Sequence, residues 1–110
     1  MTTNAKKARE QSPNETLNHG IDFSGRLETA ELLTGTPTVT ISPSGPTLSN
    51  KQVNSTTKTI NGVSLVAGKA VLFTVTGLTL GVDYTITASC GTDSTPAETV
   101  VGTLDLRCRA

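Results

Sequence analysis

The chain of 110 residues has few of the side chains on which enzymes rely. It contains one histidine, His19, two cysteines, Cys90 and Cys108, and no tryptophan. The aromatic residues are Phe23, Phe73 and Tyr84. Nucleophilic and acid–base catalysis needs an activated nucleophile or paired titratable groups, and no glycine-rich segment joins a strand to a helix as in nucleotide sites. We therefore expect no enzyme activity and no cofactor.

The charge balance and the hydropathy exclude further classes. Nine basic and nine acidic residues cancel, whereas binding to nucleic acid or to an anionic membrane surface needs a basic excess. No apolar run approaches the 18 or so residues of a membrane span. The basic residues near the start have no apolar run after them, so no secretory signal is expected. We therefore predict that the protein binds no nucleic acid and does not associate with a membrane.

The titratable residues show no metal-binding or catalytic spacing. His19 has no second histidine or cysteine nearby in the sequence, so it is interpreted as a solvated or hydrogen-bonded structural residue. Asp22, Glu28 and Glu31 are scattered, and acid–base catalysis needs paired groups in a pocket. They are interpreted as surface charges, and no metal is expected.

Threonine is the abundant residue, with 21 copies. Its branched Cβ suits a half-exposed strand better than a helix. Short strands separated by turn residues are predicted at 36–42, 50–53, 57–60, 64–66, 71–76, 83–90 and 99–108. Asn61-Gly62 is a strong hairpin signal. Such spacing predicts an all-β sandwich of immunoglobulin or fibronectin III type.

Alternation along the last three strands predicts the side chains that face the core. The inward sets are Val71, Phe73 and Val75; Tyr84, Ile86, Ala88 and Cys90; and Val100, Leu104, Leu106 and Cys108. The segment 27–33 has helical propensity but spans less than two turns, so it is either a short helix or a first strand.

Two domains of different character are predicted along the chain. Residues 1–26 are polar, contain Pro13 and Gly20, and lack both the strand and the helix period. They are interpreted as an extended N-terminal arm, which is either a solvated terminus that is disordered alone or a segment that a partner orders. Residues 27–110 are interpreted as the sandwich.

The segment 77–87 carries a specific structural signature. A strand ends at Leu78, the chain turns at Gly81, and Tyr84 opens the next strand. In a tyrosine corner the phenol bonds to the backbone just upstream. The segment from Val71 to Arg107 resembles the corresponding region of fibronectin type III modules, which implies the fold but leaves the function open.

The N-terminal third carries a second resemblance. The segments Ser12-Pro13-Asn14-Glu15-Thr16-Leu17 and Ile21-Asp22-Phe23-Ser24, followed by Leu27, resemble the opening of the fibre–tail adaptor family of tailed bacteriophages. The aromatic residue of that family is usually tryptophan, and here it is Phe23. The resemblance implies a non-enzymatic virion structural protein that links the tail or neck to fibres, present as a symmetric oligomer or in several copies and assembled in the host cytoplasm.

In this interpretation the arm binds other virion proteins. Ile21 and Phe23 are its apolar anchors, and Lys6, Lys7 and Arg9 steer it toward an acidic partner. Two alternatives stay open: a capsid decoration protein, and a fibronectin III-like binding module of a surface protein.

The two cysteines are too far apart to bridge within the chain. If residues 91–98 form the loop, Cys90 lies opposite Thr99, and Cys108 is nine residues further along the partner strand. That separation is about 30 Å, whereas a disulfide needs Cα atoms within ~7 Å. The cysteines are therefore free thiols, or Cys108 or Cys90 bridges to another copy or another virion protein.

Overall fold

The computed structural model describes residues 9–28, 30–60 and 62–109, and these residues form nine β-strands and one short 3-10 turn. The strands are β1 (Arg9–Gln11), β2 (Thr16–Asp22), β3 (Leu33–Ser42), β4 (Thr47–Val53), β5 (Lys58–Ile60), β6 (Val63–Leu65), β7 (Ala70–Thr76), β8 (Asp83–Thr92) and β9 (Thr99–Cys108). The 3-10 turn spans Ser24–Arg26.

The strands form two main sheets and a hairpin. Sheet A has the order β1-β9-β8-β3, and sheet B has the order β2-β7-β4. All the pairings are antiparallel except that of β1 with β9, which is parallel. The sheets enclose one apolar core, so the fold is the predicted all-β sandwich of immunoglobulin type.

The core is formed by the predicted inward faces. Val71, Phe73 and Val75 of sheet B are at most 1% exposed. From sheet A, Ile86 and Leu106 are fully buried in the same cluster. Strand β9 has the predicted bounds, while most of the other strands differ from prediction by a few residues at their ends.

The β5–β6 hairpin covers part of the outer face of sheet B. Ile60 and Leu65 of the hairpin pack with Ala70 and Leu72 of β7 in a second, smaller cluster. This explains why β7 is buried on both faces. Gly20 lies below the hairpin, and a Cβ there would come within 2.5 Å of Leu65 Cδ1, so a larger residue would require the Leu65 side chain to shift.

The hairpin turn lies where the Asn-Gly signal predicts it. Ile60 pairs with Val63, so the turn lies between these two residues. Gly62 has a φ of +79°, the left-handed conformation that such turns require. Asn61 lies outside the described residues.

The prediction of an extended arm is wrong for residues 9–26. Strand β1 pairs with Leu106, Arg107 and Cys108 of β9, and β2 pairs with β7 over seven residues. Both strands are thus parts of the sandwich. The sequence does not predict them because two of their three buried positions hold polar side chains, Gln11 and His19, so the apolar alternation that predicts a strand is absent.

The segment 27–33 forms neither the short helix nor the first strand considered for it. The chain makes the 3-10 turn before Leu27, and β3 begins only at Leu33. The intervening described residues form no helix and no strand.

Candidate functional site

The tyrosine corner is present. The Thr79 backbone N–H donates to Tyr84 Oη at 3.0 Å. Leu78 is buried in the core, and Gly81 adopts a φ of +84°. The Gly81 N–H also donates to the Cys108 carbonyl at 3.0 Å, which connects the corner to the end of β9. The signature found in the sequence therefore has a structural role between β7 and β8.

The predicted apolar anchors of the arm are core residues. Ile21 is 7% exposed and Phe23 is 1% exposed. Their nearest neighbours include Gly102 of β9, where a Cβ would lie 2.9 Å from Ile21 Cγ2 and 3.0 Å from Phe23 Cε1. Their assignment as partner-binding residues is wrong for this structure, because their apolar surface is already used to join β2 to β9.

Arg9, predicted to steer toward an acidic partner, is engaged within the chain. Its Nη1 donates to the Asn18 carbonyl at 2.9 Å and lies 3.0 Å from His19 Nδ1. Partial burial lowers the pKa of the guanidinium. Lys6 and Lys7, the other two residues predicted to steer the arm toward an acidic partner, lie outside the described residues.

His19 is the centre of a buried polar cluster with Gln11. The ring is fully buried, and its Nε2 lies 2.9 Å from Gln11 Oε1. Gln11 Nε2 in turn donates to the carbonyls of Glu15 at 2.8 Å and Val75 at 2.9 Å. The ring also stacks on Phe73, with the centroids 5.9 Å apart. His19 is therefore a hydrogen-bonded structural residue.

The cluster fixes the charge and the tautomer of the ring. Arginine can only donate, so Nδ1 must accept from Arg9 and Nε2–H must donate to Gln11. Burial, and secondarily the positive charge of Arg9, lower the pKa of His19 to about 4. The imidazole is consequently neutral near pH 7.

Both cysteines are free, and both are buried. Cys90 lies opposite Val100, one position from the predicted partner, and its Sγ lies 3.4 Å from the Thr34 carbonyl. Burial raises the pKa of the Cys90 thiol. Cys108 is completely buried. A disulfide between copies would need a sulfur at the surface, so this structure contradicts that hypothesis.

The three scattered carboxylates do not share one environment. Asp22 and Glu28 are exposed, as predicted. Glu31 is only 7% exposed, so its interpretation as a surface charge is wrong. The Glu28 N–H donates to Glu31 Oε1 at 3.0 Å, and this bond is the main reason that the pKa of Glu31 is lowered. Glu31 thus stabilises the connection into β3.

The outer face of sheet A carries a grid of hydroxyl groups. Successive cross-strand rows, read from β3 through β8 to β9, are Thr38–Ser89–Val101, Thr40–Thr87–Thr103 and Ser42–Thr85–Asp105. We call these nine residues the hydroxyl face. Seven of them bear a hydroxyl, and Asp105 is the charged one among them. The sequence predicted the outward direction of several of these residues but not that they form one surface.

The described residues contain no group of three or more histidine, cysteine, aspartate or glutamate side chains that could hold a metal ion. A groove on sheet B, beside the β5–β6 hairpin, has a volume of about 210 Å³ and is lined mainly by polar residues such as Asn18, Gln52 and Lys58. Ligand pockets usually have volumes of 300 Å³ or more, so this groove is small for one. A second groove, of about 380 Å³, runs along Phe23, Arg26 and Gly102. Within the described part of the chain, no helix is long and apolar enough to cross a membrane.

The fold and these surfaces define an immunoglobulin-like β-sandwich with a buried polar cluster and a hydroxyl-rich sheet face. Comparisons of the chain with protein-family models, with curated proteins and with solved structures give no match in any of the three.

Proposed function

We propose that the chain is a non-enzymatic structural protein of a tailed-phage virion that joins the tail or neck to fibres or to neighbouring virion proteins. The proposal is supported by the resemblance of residues 12–27 to the fibre–tail adaptor family, together with the immunoglobulin-like sandwich that this family implies. The protein acts through shape, as a rigid block that several copies present to their neighbours.

The hydroxyl face is the structural observation that supports the part of the proposal in which several copies meet. It is broad, belongs to the rigid sheet A, and is uncharged except for Asp105 at one end. A neutral face can approach an identical face without like-charge repulsion, and hydroxyl groups can donate and accept hydrogen bonds in either direction. We therefore assign a second copy of the chain as its occupant.

The N-terminus contributes less to this mechanism than the sequence implied. Ile21 and Phe23 are buried and Arg9 is hydrogen-bonded to its own chain, so these residues are occupied within the sandwich. Removal of residues 1–26 would delete β1 and β2 and thereby disrupt both sheets. A truncation that tests the N-terminus must consequently end at residue 8.

The location of the protein in particles tests the proposal directly. An antibody raised against the purified chain should label intact tailed particles, purified from the culture that produces the chain, at the neck or tail in electron micrographs. Labelling spread over the head would instead support a capsid decoration protein. If washed particles contain none of the chain by mass spectrometry, the virion proposal is wrong.

A charge placed on the hydroxyl face tests the surface. Thr87→Lys should weaken self-association at least tenfold, because each copy would bring a positive charge to the centre of the contact. Thr59→Lys is the matched control, since Thr59 is exposed on the β5–β6 hairpin. Sedimentation over a range of concentrations measures both variants, and equal behaviour of the two would exclude this face as the contact.

A further inference from the structure

The histidine of the polar cluster is covered by the N-terminal strand. Its ring is fully buried, and side chains of β1 contact both of its nitrogen atoms: Arg9 at Nδ1 and Gln11 at Nε2. Within the described residues, strand β1 is short. It pairs through three residues with one edge of β9. The protonation state of His19 is therefore coupled directly to the docking of β1.

Protonation of His19 is incompatible with these contacts. In the imidazolium both ring nitrogens donate, so Nδ1–H would point at an Arg9 N–H group 3.0 Å away. The new contact would bring donor against donor and positive charge against positive charge in a water-poor site. Gln11 can satisfy Nε2–H in either state, so the conflict is located at Arg9.

The other groups around the ring offer no compensating negative charge. Strand β7 presents Phe73, whose ring stacks on the imidazole. Strand β9 places Cys108 opposite Gln11. The Glu15 carboxylate accepts from the Ser12 N–H at 2.8 Å, so it is engaged elsewhere. Glu10 on β1 and Asp22 on β2 are exposed.

We propose that β1 is an acid-released strand: protonation of His19 undocks residues 9–11 from β9 while the rest of the sandwich stays folded. Undocking moves Arg9 away from the ring and opens the ring to water, so it relieves both conflicts. Its cost is the three residue pairs with β9 and the hydrogen bonds of the Arg9 and Gln11 side chains to the carbonyls of Asn18, Glu15 and Val75. Strand β2 keeps its pairing with β7 over seven residues. The proposal is independent of the proposed virion function.

Cys108 provides a direct readout of this movement. It is the register partner of Gln11, and both side chains are buried, at 0% and 1% exposure. Undocking of β1 removes the strand beside Cys108 and opens its sulfur to reagent. Cys90 lies eight residues away along the sheet, opposite Val100, and about 26 Å separates the two positions. It can be replaced without touching the cluster.

The experiment measures the rate of Cys108 modification in the full chain carrying Cys90→Ala. Dithiodipyridine is the probe, because it modifies thiols in mildly acidic solution. We expect this rate, divided by that of glutathione with the same reagent at the same pH, to rise at least tenfold between pH 7 and pH 4.5, while circular dichroism shows that the sheets persist. The matched variant adds His19→Gln, whose amide can bond to Arg9 and Gln11 without titrating, and its normalised rate should stay nearly constant.

Three results would overturn the proposal: no rise in rate, the same rise with His19→Gln, or a rise that accompanies loss of the sheet signal. If His19→Gln does not fold, amide hydrogen exchange on the unmodified chain decides. Acid should then speed the exchange of residues 9–11 and 107–109, after correction for the intrinsic rate, much more than that of β7. Uniform acceleration across the sheets would count against a released strand.

Discussion

At the scale of single residues, the structure differs most from expectation where polar side chains are buried. Asn54, a residue without a recognised role in the sequence, is 2% exposed. Its Nδ2 donates to the carbonyls of Leu65 and Val66, and its Oδ1 accepts from the N–H groups of Gly68 and Ala70. One amide thus organises the connection between β6 and β7, as Gln11 does for β1 and β2.

The pH dependence of stability is a prediction at this scale. The unfolded chain binds a proton at His19 near pH 6.5, and the folded chain only near pH 4. The stability contribution of the neutral ring is thus complete above pH 6.5 and is lost as the pH falls toward 4. We expect a loss of roughly 2 to 3 kcal/mol at pH 4.5, and less where β1 undocks first.

Urea unfolding at pH 7 and pH 4.5 measures this loss. The same chain with His19→Gln isolates the contribution of the imidazole from that of the carboxylates. If both chains lose the same free energy of unfolding between the two pH values, His19 is not the responsible group.

The tyrosine corner gives a second residue-scale prediction. Tyr84→Phe keeps the aromatic ring but removes the acceptor of the Thr79 N–H. We expect the fold to persist and the free energy of unfolding to fall by about 1 kcal/mol, as for loss of one hydrogen bond. Thermal unfolding followed by circular dichroism measures the difference. An unchanged melting temperature would show that the hydrogen bond contributes nothing.

At the scale of strands, the contact between β2 and β9 depends on a close approach. Gly102 lies against Ile21 and Phe23, and a Cβ there would meet both side chains at about 3 Å. We expect Gly102→Ala to destabilise the protein by about 1 to 3 kcal/mol, since the added methyl group overpacks the core.

The control for this change is Gly25→Ala, because a Cβ at Gly25 would have no atom within 4 Å. Denaturant titration of the two variants should separate them clearly. Equal stability would mean that the β2–β9 contact adjusts freely and that the glycine is not required there.

At the scale of the whole molecule, the burial of both thiols predicts that assembly does not depend on disulfide bonds. Cys90 and Cys108 are both buried and too far apart to pair. Any oligomer of the folded chain near neutral pH should therefore have the same mass with and without reductant. Light scattering of the purified protein measures that mass, and a species that disappears on reduction would contradict the buried position of the sulfurs.

The all-β fold, the core faces of β7, β8 and β9, and the tyrosine corner follow from the sequence alone. Their signals are local: alternating apolar residues, the Asn61-Gly62 turn, and a tyrosine at a fixed distance from Gly81. Each depends on residues that are neighbours in the chain, so the periodicity of a strand or the preference of a turn is sufficient to predict it.

Only the tertiary structure assigned residues 9–26 to the sandwich and showed what surrounds His19. The strands β1 and β2 bury polar side chains whose partners lie in other strands, and a buried polar position is indistinguishable from an exposed one until those partners are known. The hydroxyl face could not be predicted from the sequence for the same reason. Its three strands are separated by loops, and the register between strands, which is set by long-range pairing, decides which hydroxyl groups become neighbours.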